Sequence, residues 1–308
     1  MGLCKQSNFN PLSVETCADA GFFQSFVMVP KIFLFLLLIP SLGFAAALIT
    51  GKVVEVAADE GALMLKIHSS EEGSFARGET EAFRVSAGDL EIDYMNRVIR
   101  GHAMHYNKRW HLEQIFPLTG EGSAEVFRAN EALKEATKGL KRSQYLREGD
   151  VIPEFGMIDQ DGAFFRVKQL SGKAFVINFI FTRCAAPKMC PAASARMAAM
   201  QDEARKLGMK DLEFVTVTFD PTFDSPAVLR NYAEGYGIEL SNFHLLTGSS
   251  ELINDLLHRF GILKLEEDGT INHTMATLLV DQDGRVAYRK EGKYWTVDEF
   301  LKEAQKLQ

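Results

Sequence analysis

Residues 174–181 read AFVINFIF, with Asn178 the only polar position. A strand this apolar has no face to offer water, so it belongs at the centre of a sheet covered on both sides. A second such run, LEFVTVTFD at 212–220, suits a neighbouring central strand. Between the two, residues 191–207 have helical spacing, with Pro191 in the first turn, where an absent N–H costs little. Beyond them the chain predicts a helix from Ser225 to Tyr236 opened by Pro226, a short strand at HLLTG, and a helix 251–262 ending at Gly261. A hairpin turning at Asp283-Gly284 and a closing helix, VDEFLKEAQKL, complete this half. Ahead of the first central strand, FGMIDQDGAFFRVKQL reads as another hairpin, around Asp161-Gly162. Helices between parallel strands, then a terminal antiparallel hairpin and helix, specify a thioredoxin-like α/β sandwich over residues 147–308.

The preceding residues follow a different rule. ITGKVVEVA and ALMLKIH flank Asp59-Glu60-Gly61, a hairpin signal, and EAFRVS, RVIRGHAMHY and RWHLEQIFP continue the alternation. About five short strands without a strong helix predict a small all-β domain, barrel or OB-like, over residues 48–117. Residues 118–146 open on Gly120 and Gly122 and then take helical spacing, which predicts a helical linker. Further upstream, Lys31 precedes IFLFLLLIPSLGFAAA, a basic residue, an apolar run and small residues in the pattern of an export signal. Met28 is the start that gives this signal normal proportions, so residues 1–47 read as an N-terminal extension plus a signal peptide or a membrane anchor through 32–48. Either form places the rest in a periplasmic or other extracytoplasmic, oxidising compartment. The formal charge of −7 and the lack of a basic patch speak against nucleic acid as a partner.

Chemistry concentrates where the first central strand ends. Cys184 and Cys190 lie in FTRCAAPKMCP, at a strand-to-helix turn. The helix dipole there is expected to lower a thiol pKa below its free value of about 8.5, giving a thiolate for a soft metal or for disulfide attack. Cys4 and Cys17 precede the export segment, so the exported product is expected to hold this one thiol pair. A structural disulfide is the plainest alternative. In INHTMATLLVD, Ala276 stands where a thioredoxin-like fold carries its cis-proline, and His273 lies three residues upstream on a segment that should face the cysteines. Two sulfurs and an imidazole suit copper, as Cu(I) or Cu(II).

These stretches resemble the Sco/SenC/PrrC family, copper-handling proteins of thioredoxin fold that help assemble cytochrome c oxidase. The resemblance covers residues 147–308 and rests on REGDVIPEFGMIDQDG, FVINFIFTRC followed by CP, VTFDPTFDSPAVLRNYA, HLLTG and NHTMATLLVDQDGRV. It implies Cys184, Cys190 and His273 as copper ligands, Asp220 as an outer-sphere residue, and a recipient copper protein, a cytochrome c oxidase subunit, as partner. The family spacing is C-x3-C, and this chain has two further residues between its cysteines. A rival function is a thiol–disulfide oxidoreductase that reduces a recipient's metal-site cysteines, with Cys184 attacking and Cys190 resolving. A peroxiredoxin needs threonine three residues before its reactive cysteine, and Thr182 is two before Cys184.

Other residues invite blander readings. Asp224, ahead of Ser225-Pro226, reads as a helix cap. Met197 and Met200 read as core rather than copper ligands, while Met189, exposed between the cysteines, offers a further soft contact. His102, Met104, His105, Trp110 and His111 cluster in sequence, and alternation sets His102 and Met104 on one strand face with His105 on the other.

Overall fold

The structure, a computed structural model, describes residues 46–267 and 270–307. The expected signal or anchor, Met28, Cys4 and Cys17 lie outside the described residues, except that the last two residues of the 32–48 segment belong to the first strand. No helix among the described residues is long and apolar enough to cross a membrane.

Five strands form the first layer: β1 (Ala47–Ala57), β2 (Ala62–Ser70), β3 (Thr80–Arg84), β4 (Val98–Tyr106) and β5 (Arg109–Pro117), with a one-turn helix α1 (Ala87–Leu90) between β3 and β4. They close into a barrel in the order β1-β2-β3-β5-β4, antiparallel except for the β3–β5 contact. Alternation decides what fills it: Ile49, Val53, Leu63, Leu65, Ile67, Phe83, Ile99 and Leu112 point inward and are buried. Gly51 permits the tight closure, since a Cβ there would lie 2.9 Å from the Lys66 carbonyl.

Helix α2 (Ser123–Thr137) was expected as a linker, yet it is packed onto the sandwich that follows. Asn130 bonds both backbone groups of Gly156, donating to its carbonyl and accepting from its N–H, each at 2.9 Å. Leu133 joins the sandwich core. A small hairpin follows, β6 (Gly156–Ile158) and β7 (Phe164–Arg166), and then the main sheet begins.

The central strands are β8 (Phe175–Ile180) and β9 (Glu213–Thr218), each buried along its whole length. Asn178, the polar exception in β8, sits opposite Thr216 and accepts its hydroxyl at 2.6 Å. Helices α3 (Cys190–Lys206), α4 (Pro226–Gly235) and α5 (Ser250–Phe260), together with β10 (Phe243–Leu246), alternate with these strands as a parallel sheet requires. A hairpin that the pattern reading did not anticipate, β11 (Lys264–Glu267) and β12 (Thr270–His273), comes next. It is followed by β13 (Ala276–Val280), β14 (Val286–Glu291) and α6 (Val297–Gln305).

The sheet order is β10-β9-β8-β13-β14, parallel through β8 and antiparallel beyond it. Isolated bridges extend its two margins, Ile158–Thr247 beside β10 and Val151–Arg285 beside β14. One core lies under α5, with Ile177, Phe179, Val215, Leu256 and Phe260. The other lies under α3, α4 and α6, with Val176, Met197, Met200, Leu229 and Phe300. Met197 and Met200 are therefore packing residues, as their spacing predicts. Barrel and sandwich meet at α4: Ala227 packs into the barrel core, and Arg230 bonds Glu91 at 2.8 Å and pairs with Asp161.

Candidate metal centre

Strand β8 delivers the chain to the site. After Phe181, a turn closes with the Cys184 N–H donating to the Phe181 carbonyl at 3.3 Å, which leaves Cys184 half-buried at the surface. Ala185, Ala186, Pro187 and Lys188 are exposed. The chain then re-enters at Cys190, the first residue of α3, which is fully buried and packed into the core beneath α5. The two additional residues thus go into an outward arc, and each sulfur is held by its own element.

The third donor comes from β12. His273 Nε2 lies 3.6 Å from the Cys190 sulfur, and Nδ1 lies 2.9 Å from the Thr274 carbonyl. A carbonyl only accepts, so Nδ1 carries the proton and Nε2 turns its lone pair toward the sulfurs. The rings of Phe219 and Phe181 flank the imidazole, with centroids 4.4 and 5.8 Å away. Burial lowers the His273 pKa below its ordinary value, which keeps the ring neutral, as a metal ligand must be.

The donor atoms of Cys184, Cys190 and His273 all lie within 4.8 Å of one another, and among the described residues no other three His, Cys, Asp or Glu groups converge in this way. Ligands about 2.0–2.3 Å from one ion would sit roughly 3.5–4 Å apart in a trigonal set, so closure needs movements of about 1 Å or less. Both cysteines are free thiols, so the expected alternative of a disulfide is not the state described. The helix-dipole expectation is corrected for Cys190: burial, and then the neighbouring Cys184, push its thiol pKa well above the ordinary value. At a fully buried helix start, desolvation outweighs the dipole.

Asp220 does not join the three donors. It is buried, and its Oδ2 accepts from Arg183 Nη2 at 2.6 Å and Nε at 3.1 Å, while its Oδ1 accepts from Thr222 at 2.9 Å. The Arg183 guanidinium in turn lies 4.5 Å over the Phe223 ring. Asp224 is not a helix cap: Ser225 occupies the cap position of α4 without a side-chain bond, and the Asp224 carboxylate turns inward. It accepts the Thr182 N–H at 3.1 Å and the hydroxyls of Thr182 and Thr218. Burial raises its pKa to about 6 against that hydrogen bonding.

Met189 borders the groove beside His273, about 480 Å³ in volume, with Leu263, Met275 and Tyr294. In the barrel, His102 and Met104 lie on the outer face of β4, half-buried, while His105 is exposed. His105 stands edge-on to Trp110 at 4.8 Å, and His111 stacks on Tyr106 at 3.6 Å. Pattern reading took Asp224 for a cap and missed the aromatic flanks of His273 and the hairpin that carries it. Asp268-Gly269 between LKLEE and TINH was the available hairpin signal.

Comparison with known proteins fits this geometry. The SCO1/SenC family model matches residues 143–307. The chain is 29% identical over 139 residues to the SCO1 protein homolog of Bacillus subtilis, covering 44% of this chain and 70% of that one. It is 31% identical over 142 residues to the SCO2-like protein of Rickettsia typhi, covering 42% and 65%. A SCO1/SenC family lipoprotein of known structure from Bacillus anthracis is 32% identical, with a TM-score of 0.48 and coverage of 53% of this chain and 98% of that one. With more than half its length matched by the family model, the chain belongs to the SCO1/SenC family.

Proposed function

We propose that this protein is an exported copper chaperone that holds copper on Cys184, Cys190 and His273 and delivers it to a recipient copper protein, a cytochrome c oxidase subunit. The observation that carries this reading is the convergence of two thiols and an unprotonated Nε2 within 4.8 Å. Sulfur and imidazole donors in a low-coordinate set favour copper over hard cations. A half-exposed Cys184 lets a recipient's ligands enter and displace the site's own one at a time. Asp220 serves as an outer residue by holding Arg183 beside Cys184. In this division of labour, residues 147–308 do the chemistry, residues 48–117 position or dock the molecule, and residues 118–146 brace the sandwich. The export or anchoring segment sets the extracytoplasmic location.

A second reading is thiol–disulfide exchange on the same pair. Its support is the asymmetry between half-exposed Cys184 and buried Cys190. Cys184 would attack a recipient disulfide as thiolate, and Cys190 would resolve the mixed disulfide. The chain's dithiol becomes a disulfide and the recipient gains two electrons and two protons.

His273→Ala separates the two. Copper affinity of the reduced protein, measured by competition with a chromophoric chelator, should fall at least ~10-fold, the scale typical of disturbed metal sites. Reduction of a test disulfide should be indifferent to the change. Unaltered copper affinity would defeat the three-ligand reading.

A further inference from the structure

We propose that Asp224 is a positioning residue for the dithiol, acting through Thr182 to fix the turn that presents Cys184. This inference rests on the metal-binding reading above. The turn runs from Phe181 to Cys184, and its two corner residues are each tied to the loop that follows β9. Arg183, the second corner, is held by Asp220. Thr182, the first corner, is held at two points by Asp224, through its N–H and its hydroxyl. A third donor, the Thr218 hydroxyl, fixes the carboxylate to the end of β9.

Asp224 is 0% exposed, and a buried carboxylate is costly unless hydrogen bonds compensate its lost hydration. Capping does not account for its placement, because Ser225 holds the cap position of α4 and the Asp224 oxygens bond Thr182 and Thr218 instead. Nor does core packing at the turn: Thr182 is half-buried and Arg183 is exposed. What the turn presents is a sulfur. Cys184 packs partly against the core, and the four residues after it are exposed, so the backbone that carries it is fixed from its N-terminal side. Cys190 has the helix and His273 has the Thr274 carbonyl; Cys184 has Asp224.

The test compares Asp224→Asn, Thr182→Val and Thr182→Ser in the full chain. An amide at 224 turns an N–H toward donors, and valine at 182 keeps the backbone bond while removing the hydroxyl. Asp224→Asn and Thr182→Val should each weaken copper binding by ~10-fold or more and shift the thiolate-to-Cu(II) charge-transfer band. Thr182→Ser, which keeps the hydroxyl, should restore both. Asp159→Asn is the control, a buried carboxylate that accepts the N–H groups of Asp161 and Ala163 in the β6–β7 turn. It should lower the melting temperature without moving the band. If Asp224→Asn does not fold, the Thr182 pair decides.

A copper-free readout runs alongside. The equilibrium of the Cys184–Cys190 dithiol with glutathione should change ~10-fold in Asp224→Asn and Thr182→Val, because that equilibrium depends on how the two sulfurs are held. A wild-type band and affinity in folded Asp224→Asn, or equal losses in Asp159→Asn, would overturn the proposal. Wild-type protein that binds no copper while the glutathione equilibrium still shifts would defeat the metal reading and leave the positioning role standing.

Discussion

Burial governs protonation at several single residues of this chain. Cys190 and His273 were legible as a pair from residue type and order, but not their protonation, because desolvation is a tertiary quantity. Asp224 was misread for the same reason: ahead of Ser-Pro a carboxylate looks like a cap, and only the folded loop turns it toward Thr182. Asp89 in the barrel makes the point measurable. It is buried, accepts the Ser86 hydroxyl at 2.6 Å, and burial raises its pKa from 3.8 to about 6. The fold therefore keeps a proton that the unfolded chain releases. Its stabilising contribution is complete below about pH 4 and is lost as pH rises through 6, on the order of 3 kcal/mol. Urea unfolding at pH 4 and pH 7 should show wild type losing more stability than Asp89→Asn over that interval. Parallel losses would show that the carboxyl titrates normally.

At the scale of elements, strands and helices with a strong period were readable. The central strands β8 and β9 announced themselves by apolarity, α3 and α4 by proline in the first turn, and α5 by Gly261 at its end. The β11–β12 hairpin was not, because its apolar residues print no buried alternation: Leu265 is 59% exposed and Ile271 only half-buried. The cysteine spacing looked in sequence like a change of geometry, yet the sulfurs stand on separately anchored elements and the arc between them projects into solvent. Deleting Ala186 and Pro187 should therefore leave copper affinity within about threefold, since the closure entropy of so small a change is about 0.3 kcal/mol. A loss beyond tenfold in a chelator competition would mean that the arc itself shapes the site.

For the whole molecule, the order of secondary elements was enough to identify the sandwich. How its neighbours attach was not, because Asn130, Leu133 and Arg230 look like ordinary helix-surface or helix-core residues until their partners are known. Helix α2 belongs mechanically to the sandwich: Val126 and Leu133 are buried and Asn130 is bonded to Gly156. A chain beginning at residue 118 should thus be more stable than one beginning at 139, which keeps Leu146 in the core, by roughly 3–5 kcal/mol for the two buried aliphatic side chains of α2. Equal urea midpoints for the two would show that α2 contributes nothing.

The margins of the main sheet have a consequence for behaviour at high concentration. An unpaired strand is a template on which another molecule can add its own backbone. Here the barrel offers none, and the β10 and β14 sides each carry an isolated bridge, with Lys290 adding charge along β14. With both margins met in this way, little open backbone is left on which a second copy could lay a strand.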